Sequence, residues 1–192
     1  MSVEGAPLLV IVSGAPGAGK TTLARTVATS LRLPLLSKDE LKEAIGDELG
    51  PPPDVAASQR IGLAAYRVLY ALTVRQLGAG VGVVIESNFR RGQSEAELRT
   101  AGAGADARLL HCTADAETIQ SRYRARFERG ERHPVHLDGD RAGALADDLA
   151  AGRFEPLDLE VPRLVVRTDA GYDPGLGDIL AFLTTPTLVL AS

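Results

Sequence analysis

An apolar run, Leu8-Leu9-Val10-Ile11-Val12, leads into Gly14-Ala15-Pro16-Gly17-Ala18-Gly19-Lys20-Thr21. The second segment fits G-x-x-x-x-G-K-[ST], the P-loop, and lies where a P-loop should: a buried strand ahead of it, a helix over 22–31 behind it. The order is mechanical. Glycines let backbone N–H groups curl around a phosphate, and the helix N-terminus that follows adds positive potential. Lys20 would reach the β- and γ-phosphates as a compact point charge, the Thr21 hydroxyl would ligate Mg²⁺, and Thr22 is a candidate nucleotide contact. Arginine is the default cation of this chain; the only lysines are Lys20, Lys38 and Lys42. A scarce lysine inside the loop fits a need for a point charge rather than a planar fork.

A chain of 192 residues reads as one domain spanning 1–192 with a sizeable core. Its net charge of −4 argues against a broad electrostatic footprint for nucleic acid, without excluding a local basic groove. The single Cys112 cannot form an internal disulfide, fits a reducing compartment, and reads as a small core residue rather than a nucleophile. No positively charged leader opens the chain, and no apolar run reaches the ~18 residues that span a bilayer, so a cytoplasmic location and no membrane partner are expected. Oligomeric state, and the role of the apolar tail over 185–192, are not legible.

Short apolar runs alternate with longer helical patterns. Strands are expected at 8–12, 33–36, 81–86, 107–112 and 163–167. Helices are expected at 22–31, 40–44, 93–101, 114–129, 141–150 and 175–182, and Ile61, Ala65, Val68, Leu69 and Leu72 repeat at helical spacing. Pro51-Pro52-Pro53 reads as a loop between helices. Strands separated by helices imply right-handed βαβ units and an α/β fold: a parallel sheet covered on both faces, with its ligand at the carboxyl ends of the strands. The P-loop, Ser37-Lys38-Asp39 and Glu86-Ser87-Asn88 all fall at such ends.

Asp39 follows the second strand. A carboxylate there can accept a proton from a substrate hydroxyl, orient it for in-line attack, or hold Mg²⁺ through water; it also reads as a helix N-cap. Lys38 and Lys42 flank it as candidates for an anionic substrate or as surface lysines. Glu86 ends the third strand, where a water-mediated Mg²⁺ contact or a hydrogen bond to Thr21 is expected. Asn88, Arg90 and Arg91 follow, as substrate contacts or the start of a helix. Farther on, Ile119, Tyr123 and Phe127 form one apolar stripe, while Arg122, Arg126 and Arg129 lie at i, i+4, i+7 on another face. Arginines on a segment over about 122–140 have the chemistry of a phosphate-closing lid, which neutralises the transferring group and excludes water. His133 and His136 have too few companions for a structural zinc site, so hydrogen bonding within the lid is expected.

Together these pieces resemble the small P-loop kinases of the AAA_33-like type, related to chloramphenicol phosphotransferase, the zeta-toxin kinases and the kinase domain of polynucleotide 5′-hydroxyl kinase. The resemblance rests on 14–22, on Leu35-Leu36-Ser37-Lys38-Asp39, on Val84-Ile85-Glu86-Ser87-Asn88-Phe89, and on 122–138 with its Arg132-His133-Pro134. It implies a five-stranded parallel core in the order 2-3-1-4-5, ATP as donor, Mg²⁺ as cofactor, Asp39 as general base and Arg122, Arg126 and Arg129 in the lid. It also implies that Thr168-Asp169-Ala170-Gly171 lies near the adenine. Glu86 stands where an Asp is commoner. Lys42 stands three residues after the base, where polynucleotide kinases tend to carry Arg.

Three functions compete. The first is transfer of the γ-phosphoryl of ATP to a hydroxyl of a small molecule, with Asp39, Lys42, Asn88 and Arg90 on the acceptor side. The second is a 5′-hydroxyl kinase for DNA or RNA. It ranks lower because single strands bind by charge and stacking, and aromatics make up only 4% of the chain, with no Trp. The third is a nucleotide-switched binding module with little transfer chemistry. The absence of an Asn-Lys-x-Asp string favours ATP over GTP.

Overall fold

The computed structural model describes residues 5–128, 133–137 and 147–185, without the side chains of 123 and 126–128. Five strands, β1 (Leu8–Gly14), β2 (Leu35–Ser37), β3 (Val83–Glu86), β4 (Asp106–Thr113) and β5 (Arg163–Arg167), form one sheet in the order β2-β3-β1-β4-β5. Every pairing is parallel; Ile11 lies opposite Ile85 on one side and Leu109 on the other. This is the expected α/β architecture and strand order.

Alternation along the strands builds two cores. Val10, Val12, Leu110, Cys112 and Val166 face α1 (Lys20–Leu31) and α6 (Leu176–Thr184), meeting Leu23, Val27, Ile179 and Leu183. Leu9, Ile11, Val83, Ile85 and Leu109 face the other way, onto Leu69 and Leu77 of α3 (Val55–Gly78) and Leu98 of α4 (Glu95–Ala101). Because both faces are covered, the strands read as unbroken apolar runs rather than alternating ones.

Element ends differ from expectation for local reasons. β2 starts only at Leu35, because Pro34 has no N–H to give; its carbonyl still accepts from the Val84 N–H at 2.9 Å. β3 starts at Val83 rather than 81, because Val81 N–H is spent on the Gln76 carbonyl, closing α3. α2 runs over Lys38–Leu49, well beyond the expected 40–44, and stops at Gly50 before the prolines. Its N-cap residue is Ser37, so Asp39 lies inside the first turn and is not the cap. α3 is capped by Asp54, whose side chain accepts from the Ala57 N–H at 2.7 Å, a contact worth about 1 kcal/mol. The buried face of α3 is Ala57, Ser58, Gly62, Ala65, Leu69, Thr73 and Leu77, leaving Val68 39% exposed; small residues win because α2 packs against them. α5 (Ala116–Glu128) begins two residues later than expected, since Asp115 N–H is taken by the Asp169 carboxylate at 2.7 Å. Of the helix expected over 141–150, 147–150 is helical and the rest lies outside the described residues. Among the described residues no helix is long and apolar enough to cross a membrane.

Candidate active site

A cleft of about 560 Å³ opens at the carboxyl ends of β1, β2 and β3. The loop between β1 and α1 forms its floor. Gly14 ends β1 so close to β4 that a Cβ would lie 2.1 Å from the Cys112 carbonyl oxygen. Gly19 opens α1 at φ 77°, a left-handed conformation that admits glycine readily, and a Cβ there would meet Thr168 Oγ1 at 3.1 Å. Pro16, Gly17, Thr21 and Thr22 line the cleft, while Ala15 and Ala18 are buried beneath it. Lys20, only 6% exposed, donates to the Ala15 carbonyl at 2.8 Å. The loop is thus a cradle of backbone amides at a helix N-terminus, with a cation folded over it.

Asp39, Glu86 and Asn88 line the same cleft. Glu86 is buried and accepts a 2.9 Å hydrogen bond from Ser37 rather than one from Thr21. Burial raises its pKa, against the opposing pull of Lys20 and of the Ser37 hydrogen bond. Asp39 is paired at 3.0 Å with Lys38, whose ammonium sits 5.5 Å from the centre of the Tyr66 ring. The Tyr66 hydroxyl shares a 2.8 Å hydrogen bond with Ser87, and burial pushes its pKa up to about 12.

Arg122 lines the cleft beside the loop after β5. Its guanidinium donates to Thr168 Oγ1 at 3.1 Å and to the Thr168 and Asp169 carbonyls at 2.6 and 3.3 Å. Thr168 Oγ1 in turn donates to the Ala18 carbonyl at 3.1 Å, so α5, the loop after β5 and the phosphate cradle are one bonded unit. Thr168, Gly171 and Tyr172 line the same cleft.

The structure therefore gathers Gly17, Gly19, Lys20, Thr21, Thr22, Asp39, Glu86, Asn88, Arg122 and Thr168 around one space. It sets Lys42 and Arg90 outside that lining. Lys42, 5% exposed, donates to Ser58 at 2.8 Å. Arg90 pairs with Asp148 at 2.8 Å and lies over the Phe154 ring. Arg129 and the Arg126 side chain lie outside the described residues. Sequence reasoning gave no role to Ser37, Tyr66 or Tyr172. Ser37 carried a signal, as the last residue of a strand beside Glu86; the tyrosines carried none, because only packing brings them in. Cys112 is buried and its thiol is pushed up to about 12, in keeping with a core residue. Among the described residues no cluster of three or more His, Cys, Asp or Glu could hold a metal.

Three comparisons bear on this arrangement. Residues 9–146, well over half of the chain, match the AAA_33 family, described as an AAA domain. No curated protein matches the sequence. Among solved structures, a candidate kinase from Chloroflexus aurantiacus is 38% identical with a TM-score of 0.78, over 85% of this chain and 89% of that one. A sugar kinase from Janibacter is 21% identical, with a TM-score of 0.61 over 93% and 94%. An APS kinase from Mycobacterium tuberculosis, solved with AMPPNP and APS, is 18% identical, with a TM-score of 0.56 over 95% and 100%; at such identities the likeness concerns the fold. The chain belongs to the AAA_33 family and carries the fold of the small P-loop kinases.

Proposed function

We propose that this protein is a single-domain, ATP-dependent phosphotransferase that moves the γ-phosphoryl group to a hydroxyl of a small molecule. One observation carries the reading: Asp39 and the glycine loop with Lys20 line one cleft, so an acid can stand beside an acceptor hydroxyl facing a bound triphosphate. The acceptor hydroxyl gives its proton to Asp39 as its oxygen bonds to the γ-phosphorus. The bond from that phosphorus to the bridging oxygen breaks, and ADP leaves. Lys20 exchanges its Ala15 carbonyl for phosphate oxygens and offsets charge that grows during transfer.

The residues present also fit Mg²⁺. Thr21 and Glu86 line the same cleft, and Glu86 is a buried carboxylate whose ionised form is disfavoured as it stands. They would hold the ion, with Glu86 acting through water, and it would neutralise β- and γ-phosphate oxygens. Thr168 and Tyr172 would flank the adenine, beside Arg122.

The test is a panel of hydroxyl compounds, with a single-stranded oligonucleotide included, incubated with ATP and read by mass gain. Gain on a small compound, lost in Asp39→Asn while ATP binding persists, supports the reading. Gain only on the oligonucleotide, or ATP hydrolysis that no compound stimulates and Asp39→Asn leaves unchanged, overturns it.

A further inference from the structure

Segment 133–137, which lies downstream of α5 in the chain, is seated on α2. Val135 is fully buried against Gly46: a Cβ on Gly46 would lie 2.6 Å from Val135 Cγ2. The Val135 carbonyl accepts from Ser58 of α3 at 2.7 Å, and the same hydroxyl accepts from Lys42 at 2.8 Å, which uses both capacities of a serine. On either side, His133 Nε2 meets Asp47 at 2.9 Å and His136 Nε2 meets Glu43 at 3.0 Å. The Val135 N–H donates to His133 Nδ1 at 3.1 Å, so in the neutral ring it is Nε2–H that donates to Asp47.

These contacts follow a single stripe of α2. Asp39, Lys42 and Gly46 fall at i, i+3 and i+7, with Glu43 and Asp47 alongside at i+4 and i+8. Glycine in a helix interior is unfavourable relative to alanine, and here the space it leaves is filled by Val135.

We propose that Gly46, Ser58 and Val135 form a clasp that positions Asp39, fixing α2, the helix that carries the acid, against α3 through segment 133–137. This rests on the phosphotransferase reading. The three are positioning residues; none lines the cleft.

Gly46→Ala tests it, because the substitution favours the α2 helix itself while its Cβ displaces Val135. Hydrogen exchange without any substrate reads the clasp; ATP affinity, and kcat and KM for an acceptor found in the panel, read its consequence. We expect exchange over 133–137 and the first turn of α2 to rise at least about tenfold, ATP affinity to stay within about twofold, and kcat to fall about fivefold or more. Val135→Ala combined with Gly46→Ala should restore exchange and kcat together. Ser58→Ala should mimic the loss and Ser58→Thr should not.

Unchanged exchange in Gly46→Ala overturns the clasp. Raised exchange with unchanged kcat overturns its positioning role. A wild-type protein that phosphorylates nothing in the panel overturns the phosphotransferase reading and the positioning role with it; the exchange experiment still decides the clasp by itself.

Discussion

The ammonium of Lys20 and the carbonyl of Ala15 are joined by a 2.8 Å hydrogen bond that folds the lysine over its own loop. A bound triphosphate would replace that carbonyl with anionic oxygens, exchanging a dipole for full charges. Lys20→Ala should therefore leave the fold intact and lower turnover by more than about tenfold, or ~1.4 kcal/mol of barrier. Lys20→Arg should fail to rescue it, since a planar fork does not fit a space shaped for a point charge. Steady-state ATP turnover alongside a thermal melt checks both.

Arg122 is held in place, unlike a free lid arginine. Its hydrogen bonds go to Thr168, Asp169 and the Gly17 carbonyl, and through Thr168 to the Ala18 carbonyl. Arg122→Lys keeps the charge and cannot span these acceptors. Nucleotide affinity should weaken about tenfold, ~1.4 kcal/mol, in calorimetry with ADP as well as with ATP. A variant that lost turnover alone, at unchanged affinity, would assign Arg122 to the transition state instead.

Much of this site was legible because the chemistry is local in sequence. The P-loop announces its strand, its helix and its cation within fourteen residues, 8–21, and strand-end polar residues such as Asp39 and Glu86 stand out against apolar runs. What stayed hidden depends on partners far along the chain. Nothing near Lys42 reveals that it is buried on Ser58, or near Arg90 that Asp148 holds it, because those pairs are 16 and 58 residues apart. The long α2 was hidden too. Gly46 reads as a weak point in a helix until Val135, from far downstream, fills the notch. Helical spacing did not show which face of α3 is buried: Val68 is 39% exposed because a helix packed on both sheet and helix buries small residues on one side.

His111 gives an acid-stability prediction. It is buried on β4, its Nδ1 has no hydrogen-bond partner, and its pKa is lowered to about 4, chiefly by burial and further by Arg163 and Lys20. Between the ordinary value near 6.5 and about 4 the unfolded chain binds a proton that the native state refuses. Stability is therefore complete above pH 6.5 and falls as pH drops through that window, by up to about 3 kcal/mol. His111→Phe, which cannot titrate, should flatten the fall. Denaturant melts at pH 7, 5.5 and 4.5 read it, and parallel curves for the two proteins would refute it.

Glu86 should show the opposite sign. Its pKa is raised, first by burial, so the native state holds a proton more tightly than the unfolded chain does. Stability is highest below the ordinary carboxyl range and falls as pH rises through it towards the raised value. Glu86→Gln keeps an acceptor for the Ser37 hydroxyl and removes the charge, so without nucleotide the variant should gain on wild type as pH goes from 4 to 7. With ADP the order should reverse. If Glu86 helps to hold Mg²⁺, wild type gains thermal stability from adding magnesium to ADP, and the variant gains less than about half of that increment. Equal magnesium increments in both proteins would remove Glu86 from the metal site and leave it as a structural partner of Ser37.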